Sequence, residues 1–398
     1  MPSGSESLAN ELHIGPLRTL RQSRLKLDGG SVDLRFDKHF YKANDRSHME
    51  QSELWRQSDL EWLKSEGFAR YGLARLERPL SLAMYDEWLR DGHHGEMEYL
   101  VRHRDQKADP KIFEAQMRSA LVIPIDYVAE GTAATDAPHL TAVRTALYAR
   151  SQPDAGDYHV TLKHRLEPVL KRLQLQFPGA QFRLTIDTAP VLERELAQRA
   201  GLGWVGKNTC LIDRKAGSLF FITEILSSLD LTDVQTLTPD HCGTCTRCLD
   251  ACPTKALVSP RKLDARRCIS YWTIEAKTVP PEELRPGFQD WFFGCDICQT
   301  VCPWNIKRWG ESTFKIKNDR EQLTRELRWI LTSTNSKIEK TFQHTALARA
   351  RGRGLKRNAL IVIGNSRLHE LKTEVEAFIG DPTLAELAAW TLDQFNRA

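Results

Sequence analysis

No apolar run in this sequence approaches the length of a membrane-spanning helix, which excludes a helical span. No apolar h-region follows the first residues, so residues 1–48 do not read as a secretory peptide, and acidic residues among them argue against a transit peptide. Charge is nearly balanced: 56 Lys and Arg stand against 52 Asp and Glu, a formal net of +4 at pH 7. That permits a polyanionic partner without requiring one. His93, His94, His159 and His164 show no metal-ligand spacing, so surface or core roles are expected of them. Cysteine is missing from residues 311–398 and, Cys210 apart, from everything before Cys242. The cysteines present are therefore concentrated: of nine in the chain, all but Cys210 lie between Cys242 and Cys302.

They fall in two blocks. Cys242-Gly-Thr-Cys245-Thr-Arg-Cys248-Leu-Asp-Ala-Cys252-Pro253 matches the bacterial ferredoxin run C-x2-C-x2-C-x3-C-P. The second block is a lone Cys268 followed by Cys295-Asp-Ile-Cys298-Gln-Thr-Val-Cys302-Pro303. In two-cluster ferredoxins the fourth cysteine of a run ligates the other cluster. On that rule Cys242, Cys245, Cys248 and Cys302 hold one [4Fe–4S] cluster, and Cys252, Cys268, Cys295 and Cys298 hold a second. The proline after each x3 cysteine is expected to stop the local turn, because it fixes φ and lacks an N–H. Structural zinc uses C-x2-C pairs without the x3-C-P tail, and disulfides need an oxidising compartment. Iron–sulfur is the reading the run supports, and with it a reducing cytoplasm. Cys210 reads as a small buried hydrophobe.

Length and pattern divide the chain into several parts. Residues 1–48 read as a disordered extension, with Met49 a candidate start. Residues 49–235 mix strand and helix signals: helices over 79–101, 157–176 and 190–200, and strands over 120–128, 182–186, 209–213 and 218–226. Thr188 is a candidate cap and Gly201 a stop for the 190–200 helix. Residues 236–310 form the ferredoxin-like part. Residues 311–398 read as helices at about 322–332, 341–350, 355–363, 368–379 and 383–395, resembling a HEAT-type repeat. Asp381-Pro382 reads as the start of the last helix. The fold class expected is α+β: a mixed α/β domain, a two-cluster domain and a helical region.

Gly201-Leu-Gly203-Trp-Val-Gly206-Lys207-Asn208 contains both G-x-G-x-x-G and G-x-x-x-x-G-K. Each should follow a strand and open a helix; this loop follows a helix and leads into a strand, so neither nucleotide motif applies. It reads instead as a loop whose backbone must approach something bulky. Asp187, at the end of a strand and before a helix, is either a helix cap or a general acid at a strand end. A helix N-terminus would lower its pKa and apolar burial would raise it; a proton donor needs the second to win. Arg349, Arg351, Arg353, Lys356 and Arg357 form either a solvated helix face or a set of nucleic-acid phosphate contacts.

Several of these stretches together resemble the epoxyqueuosine reductase family. They are Asp187-Thr-Ala-Pro-Val-Leu-Glu-Arg194, Ala200-Gly-Leu-Gly-Trp-Val-Gly-Lys-Asn208, the first cysteine block, and Ala265-Arg-Arg-Cys-Ile-Ser-Tyr-Trp-Thr-Ile-Glu275. Phe293-Gly-Cys-Asp-Ile-Cys-Gln-Thr-Val-Cys-Pro303, Glu96-Met-Glu-Tyr-Leu100 and Asp157-Tyr-His159 join them, and the resemblance covers about residues 50–370. It implies two [4Fe–4S] clusters, a cobalamin and a reductive-dehalogenase-like cobalamin-binding domain. The implied reaction is the last step of queuosine synthesis: epoxyqueuosine at the wobble position of tRNA loses its epoxide oxygen. It implies Asp187 as proton donor beside the cobalt. It implies corrin contacts at Lys107, Leu211, Ile222, Ser270, Asp296 and Ile297, with the corrin filling the space by the glycine loop and raising the pKa of Asp187. Lys107 stands where the family has an arginine, and Ser151 to Ala155 are extra residues. The tRNA contacts expected are Arg351, Arg353, Lys356 and Arg357.

Removing an epoxide oxygen as water takes two electrons and two protons, whereas each cluster passes one electron at a time. A mediator is therefore needed, which the implied cobalamin would supply. The electron donor is not encoded in any motif, and a monomer is the default. The alternatives are a corrinoid, iron–sulfur reductive-dehalogenase-like enzyme acting on a small molecule, and a non-enzymatic electron-transfer module.

Overall fold

The computed structural model describes residues 54–128, 140–150, 157–232, 237–314 and 319–397. These lie in one compact unit, residues 51–398. The expectations for residues 1–48, Met49 and Ser151–Ala155 fall outside the described residues.

The sheet is built from four strands: β1 (Gly72–Arg75), β2 (Ser119–Asp126), β3 (Phe182–Ile186) and β4 (Phe220–Ser227). They lie in the order β1-β2-β4-β3, and every neighbouring pair is antiparallel. With helices on both faces, this is a mixed helix-and-sheet fold of α+β type. Alternation along β2 explains its unbroken apolar run. Leu121, Ile123 and Ile125 enter one core with Leu162, Leu166, Val169 and Leu173 of helix α1 (Tyr158–Gln176). Ala120 and Val122 enter the other with Leu196 and Ala197 of helix α2 (Glu193–Arg199). Pro124 is tolerated because β1 pairs with β2 only as far as Val122, leaving the outer edge of β2 without a ladder there.

Four helix expectations change. No single helix covers 341–350: one helix, Asn335–Phe342, ends there and a separate 3-10 turn covers Ala346–Ala350. The 79–101 segment holds a helix only over Leu82–Arg90, followed by a second at Glu98–Arg102; Gly92 and Gly95 between them have positive φ. Helix α2 begins at Glu193, and Thr188 does not cap it: its hydroxyl donates to Ile186 O. The reason is Asp187, whose φ of +55° turns the chain out of β3 in the left-handed region. The last helix begins at Ala385, and Asp381 caps the turn before it by accepting from the Thr383 and Leu384 amides.

The glycine loop packs against its own hairpin. Trp204–Val205 pairs with Leu211–Ile212. A Cβ on Gly203, whose φ is +150°, would lie 2.2 Å from the Ile212 carbonyl oxygen, and one on Gly206 would lie 2.4 Å from Ile212 Cδ1. Ile212 is thus one bulky neighbour that these glycines admit. Gly203→Ala should cost about 1–3 kcal/mol, to be read as a lowered midpoint in chemical denaturation; an unchanged midpoint would show that the hairpin can open to admit a methyl group.

In the cluster region the two prolines behave differently. The helix Arg247–Ala251 ends before Cys252-Pro253 as expected, but Pro303 opens the helix Pro303–Trp309 with Cys302 at its N-cap. A first helical position needs no N–H, so proline starts that helix as readily as it stops another. Helices Arg320–Thr332, Asn335–Phe342 and Ala385–Asn396 surround the buried Arg351–Asn365. They share one core with Ile269, Trp272, Phe288, Phe292 and Phe293 from the cysteine-bearing stretch.

Candidate active site and cluster-binding loops

Asp187 sits where β3 ends, at the edge of a cavity of about 280 Å³. The β4 residues Phe220, Phe221 and Ile222 line it, with Ile186, Leu211, Tyr127 and Tyr158; Glu193, Arg194, Ser218 and Gln299 supply polar edges. The Asp187 side chain is 56% exposed, and the burial it does have raises its pKa less than its neighbours lower it. Two neighbours from the first turn of α1 act on it. The Tyr158 hydroxyl donates to Asp187 Oδ2 at 2.6 Å, and His159 Nε2 stands 3.6 Å from the same oxygen. The second distance is too long for a hydrogen bond but short enough for an ion pair. The His159 imidazole, with the Tyr158 hydroxyl, holds the Asp187 carboxyl below the usual carboxylate range. Asp157, 2.7 Å from His159 Nδ1, and then Asp187 push His159 up to about 9. With these neighbours alone, the proton of this group rests on His159 at neutral pH.

This has a consequence for stability. The pKa of His159 is raised on folding, so its contribution is fully present below the unfolded value near 6.5 and fades as pH rises through about 9. The lowered Asp157 and Asp187 contribute above the unfolded value of 3.8 and fade as pH falls further. The melting temperature should decline between about pH 6.5 and 9 in the native sequence and decline less in His159→Gln; parallel curves for the two would remove the assignment.

A buried polar group adjoins the cavity. Lys107 Nζ donates to Val191 O at 3.1 Å, and burial lowers its pKa. Burial, then the charge of Asp187, pushes Glu193 up to about 7. Burial raises Glu224, which accepts from the Thr185 hydroxyl at Oε2 while Oε1 has no partner. Of the expected corrin contacts, Leu211 and Ile222 line the cavity, and Lys107, Ser270, Asp296 and Ile297 are not in its lining. Asp296 is buried, its Oδ2 accepting from the Leu147 amide at 2.6 Å, and burial pushes it up to about 6. Apolar walls with polar edges suit a flat, amide-fringed macrocycle. The residues present fit a corrin in chemistry, and a volume of this size seats part of it.

The cysteines gather as two groups. Cys302 lies close enough to Cys242 and Cys248 for their charges to interact. Cys252 lies similarly close to Cys268 and Cys295, and Cys298 to Cys295 and Cys268. Cys245 joins the first group through its amide, which donates to Cys242 O at 3.0 Å. Trp204 Nε1 approaches Cys242 Sγ at 3.4 Å, and the Ala256 amide approaches Cys252 Sγ at 3.3 Å. Among the described residues no three His, Cys, Asp or Glu side chains converge where a single ion could bind, as tetrahedral zinc requires. Cys210 is only half-buried; it lines the Asp187 cavity and interacts with Cys298, which its sequence context did not reveal.

The basic cluster does not present one face. Arg357 is 3% exposed, and its guanidinium donates to the carbonyls of Trp272, Ala276 and Thr278, so it cannot meet a phosphate at the surface. Arg353 pairs with Asp381, and Lys356 lies over the Phe378 ring. Arg351 is exposed at a positive φ.

Comparison with known proteins follows the same division. Residues 241–305 match a 4Fe-4S double cluster binding domain, and residues 107–188 match the model described as epoxyqueuosine reductase QueG. The epoxyqueuosine reductase of Xanthomonas campestris is 41% identical over 66% of this chain and 73% of its own length. That of Escherichia coli is 34% identical over 84% and 88%. The chain belongs to the epoxyqueuosine reductase family. Among solved structures, the epoxyqueuosine reductase of Streptococcus thermophilus shares the fold with a TM-score of 0.71 at 24% identity, over 86% of this chain and 90% of that one. Epoxyqueuosine reductase with a tRNA-Tyr epoxyqueuosine-modified stem loop gives 0.67 at 23%, over 85% and 89%. Within this family member, the residues that sequence reasoning left without a role are Tyr158 and His159. Their signal was the Asp157-Tyr-His159 motif, in which Asp157 caps α1 and so aims the next two side chains at Asp187.

Proposed function

We propose that this protein reduces epoxyqueuosine in tRNA to queuosine, with Asp187, Tyr158 and His159 handling the proton and two [4Fe–4S] clusters carrying the electrons. The observation that carries this reading is the meeting of Asp187, Tyr158 and His159 at a cavity whose wall also holds Cys210, the neighbour of Cys298. The stem-loop complex of a family member supports tRNA as the substrate. The epoxide oxygen leaves as water and takes two protons. His159 holds one proton beside Asp187 Oδ2, Asp187 passes it to the oxygen, the Tyr158 hydroxyl fixes the carboxylate, and the second proton comes from solvent. Cys242, Cys245, Cys248 and Cys302 are the ligands of one cluster, and Cys252, Cys268, Cys295 and Cys298 those of the other. Leu211 and Ile222 would hold a cobalamin over the β4 wall, with Lys107, Ser270, Asp296 and Ile297 around its edge. When bound, the cobalamin supplies a two-electron route to carbon that single-electron clusters lack.

The same reading divides the chain into a reductive-dehalogenase-like cobalamin-binding part at 49–235, a cluster part at 236–310 and a HEAT-like part at 311–398. It places a monomer in the reducing cytoplasm, served by an unidentified electron donor; no described helix is long and apolar enough to cross a membrane. Anaerobic reconstitution with iron, sulfide and cobalamin, followed by assay on epoxyqueuosine-containing tRNA, tests the proposal. Queuosine formation is expected. Failure on tRNA with turnover of halogenated small molecules would replace it with the dehalogenase reading.

A further inference from the structure

The Glu96–Leu100 motif, Glu275 at the end of the Ala265–Glu275 motif, and Arg349 have no part in the chemistry so far. The fold brings all three together. Arg349 places its guanidinium fork on Glu275, with Nε 3.0 Å from Oε1 and Nη2 2.9 Å from Oε2, and lies 5.8 Å from the centroid of the Tyr99 ring. The 96–99 segment is tied to the same place. The Glu96 amide donates to the Tyr271 hydroxyl at 2.8 Å, and the Glu96 carboxylate accepts from the Lys277 amide at 2.9 Å and from the Thr278 hydroxyl. Gly95 allows this approach, since a Cβ there would lie 2.6 Å from the Tyr271 ring. Arg349 and Tyr99 lie outside the cavity lining but within electrostatic reach of Asp187.

An arginine near a nucleic-acid site is ordinarily read as a phosphate contact. Here Glu275 is 22% exposed and takes the guanidinium bidentately, so much of the charge that would draw a phosphate is already answered. What the arginine still offers, at 56% exposure, is a flat, weakly hydrated plane beside an aromatic ring. Those two surfaces stack on unpaired nucleobases in single-stranded RNA loops.

We propose that Tyr99, Arg349 and Glu275 form a stacking shelf for the aromatic part of the modified wobble base, which sets its epoxide-bearing ring against Asp187. Tyr99 and Arg349 supply the faces, and Glu275 is a positioning residue that keeps the guanidinium plane in place. The inference rests on the tRNA reading above and deepens it by naming how the nucleotide is held.

The test is binding of the reconstituted protein to two anticodon stem loops, one carrying epoxyqueuosine and one abasic at the wobble position, each titrated over a range of salt. The native protein should prefer the modified loop by about tenfold or more, the scale of one base stacked on an aromatic or arginine face. Arg349→Ala should shrink that preference to within about twofold without changing the salt slope, and Arg349→Lys, which keeps the charge but not the plane, should not restore it. Glu275→Gln should weaken the preference and steepen the salt slope by freeing a cation. Unchanged iron–sulfur absorbance in each variant confirms that it is folded. The proposal is overturned if Arg349→Ala keeps the native preference. It is also overturned if that variant loses affinity for both loops alike with a salt slope lower by about one, the mark of a phosphate contact. Binding of neither loop by the native protein would instead overturn the tRNA reading itself, and the shelf with it.

Discussion

Asp187→Asn should lower turnover on epoxyqueuosine-containing tRNA by at least about 100-fold, the lower end of what a positioned proton donor contributes. Iron, sulfide and cobalamin content should stay at native levels. Asparagine keeps the size of the side chain and an oxygen that can accept from Tyr158, so the cavity wall is preserved. It cannot carry a proton, so the path from His159 to the epoxide oxygen is cut. The pH profile separates this from a packing defect. Turnover of the native enzyme should fall as pH rises through about 9, where His159 loses its proton, and the residual activity of Asp187→Asn should show no such fall. Tyr158→Phe removes only the 2.6 Å hydrogen bond and should cost far less, about 0.5–1.5 kcal/mol in the barrier. Native-rate queuosine formation by Asp187→Asn would remove the carboxylate from the reaction.

The second large effect concerns which cysteine belongs to which cluster. Cys302→Ala should remove about half of the iron and acid-labile sulfide, one of two [4Fe–4S] clusters, with a matching loss of visible absorbance. Cys252→Ala should remove the other half. The double variants decide the pairing. Cys242→Ala with Cys302→Ala should lose no more iron than either alone, because both ligate one cluster. Cys252→Ala with Cys302→Ala should lose nearly all of it. The basis is spatial: Cys302 lies with Cys242 and Cys248, and Cys252 with Cys268 and Cys295. If Cys242 and Cys302 proved additive, each block would keep its own cluster and the crossed arrangement would be wrong.

Much of this architecture could be read from local pattern. The first cysteine block is contiguous and the second has only Cys268 set apart, so spacing alone singled out the eight cysteines. The α1 helix declared itself through Leu162, Leu166, Val169 and Leu173 on one face. Strand β3 showed its period of two at Phe182, Leu184 and Ile186. What failed depended on backbone geometry and on contacts between distant segments. The start of α2 was moved by the backbone turn at Asp187. Arg357 was grouped with surface arginines, yet its partners are carbonyls about eighty residues upstream at Trp272 and Ala276.

The sequence by itself determined the chemistry available: eight cysteines in ferredoxin-like spacing, a carboxylate at a strand end, and a strand whose unbroken apolar run buries it. Only the tertiary structure decided where the proton sits and what holds the carboxylate. The ionisation of Asp187 depends on Tyr158 and His159, which arrive on another element, and on an exposure that no local pattern encodes. Electrostatic energy depends on distance through space, and separation along the chain does not reveal that distance.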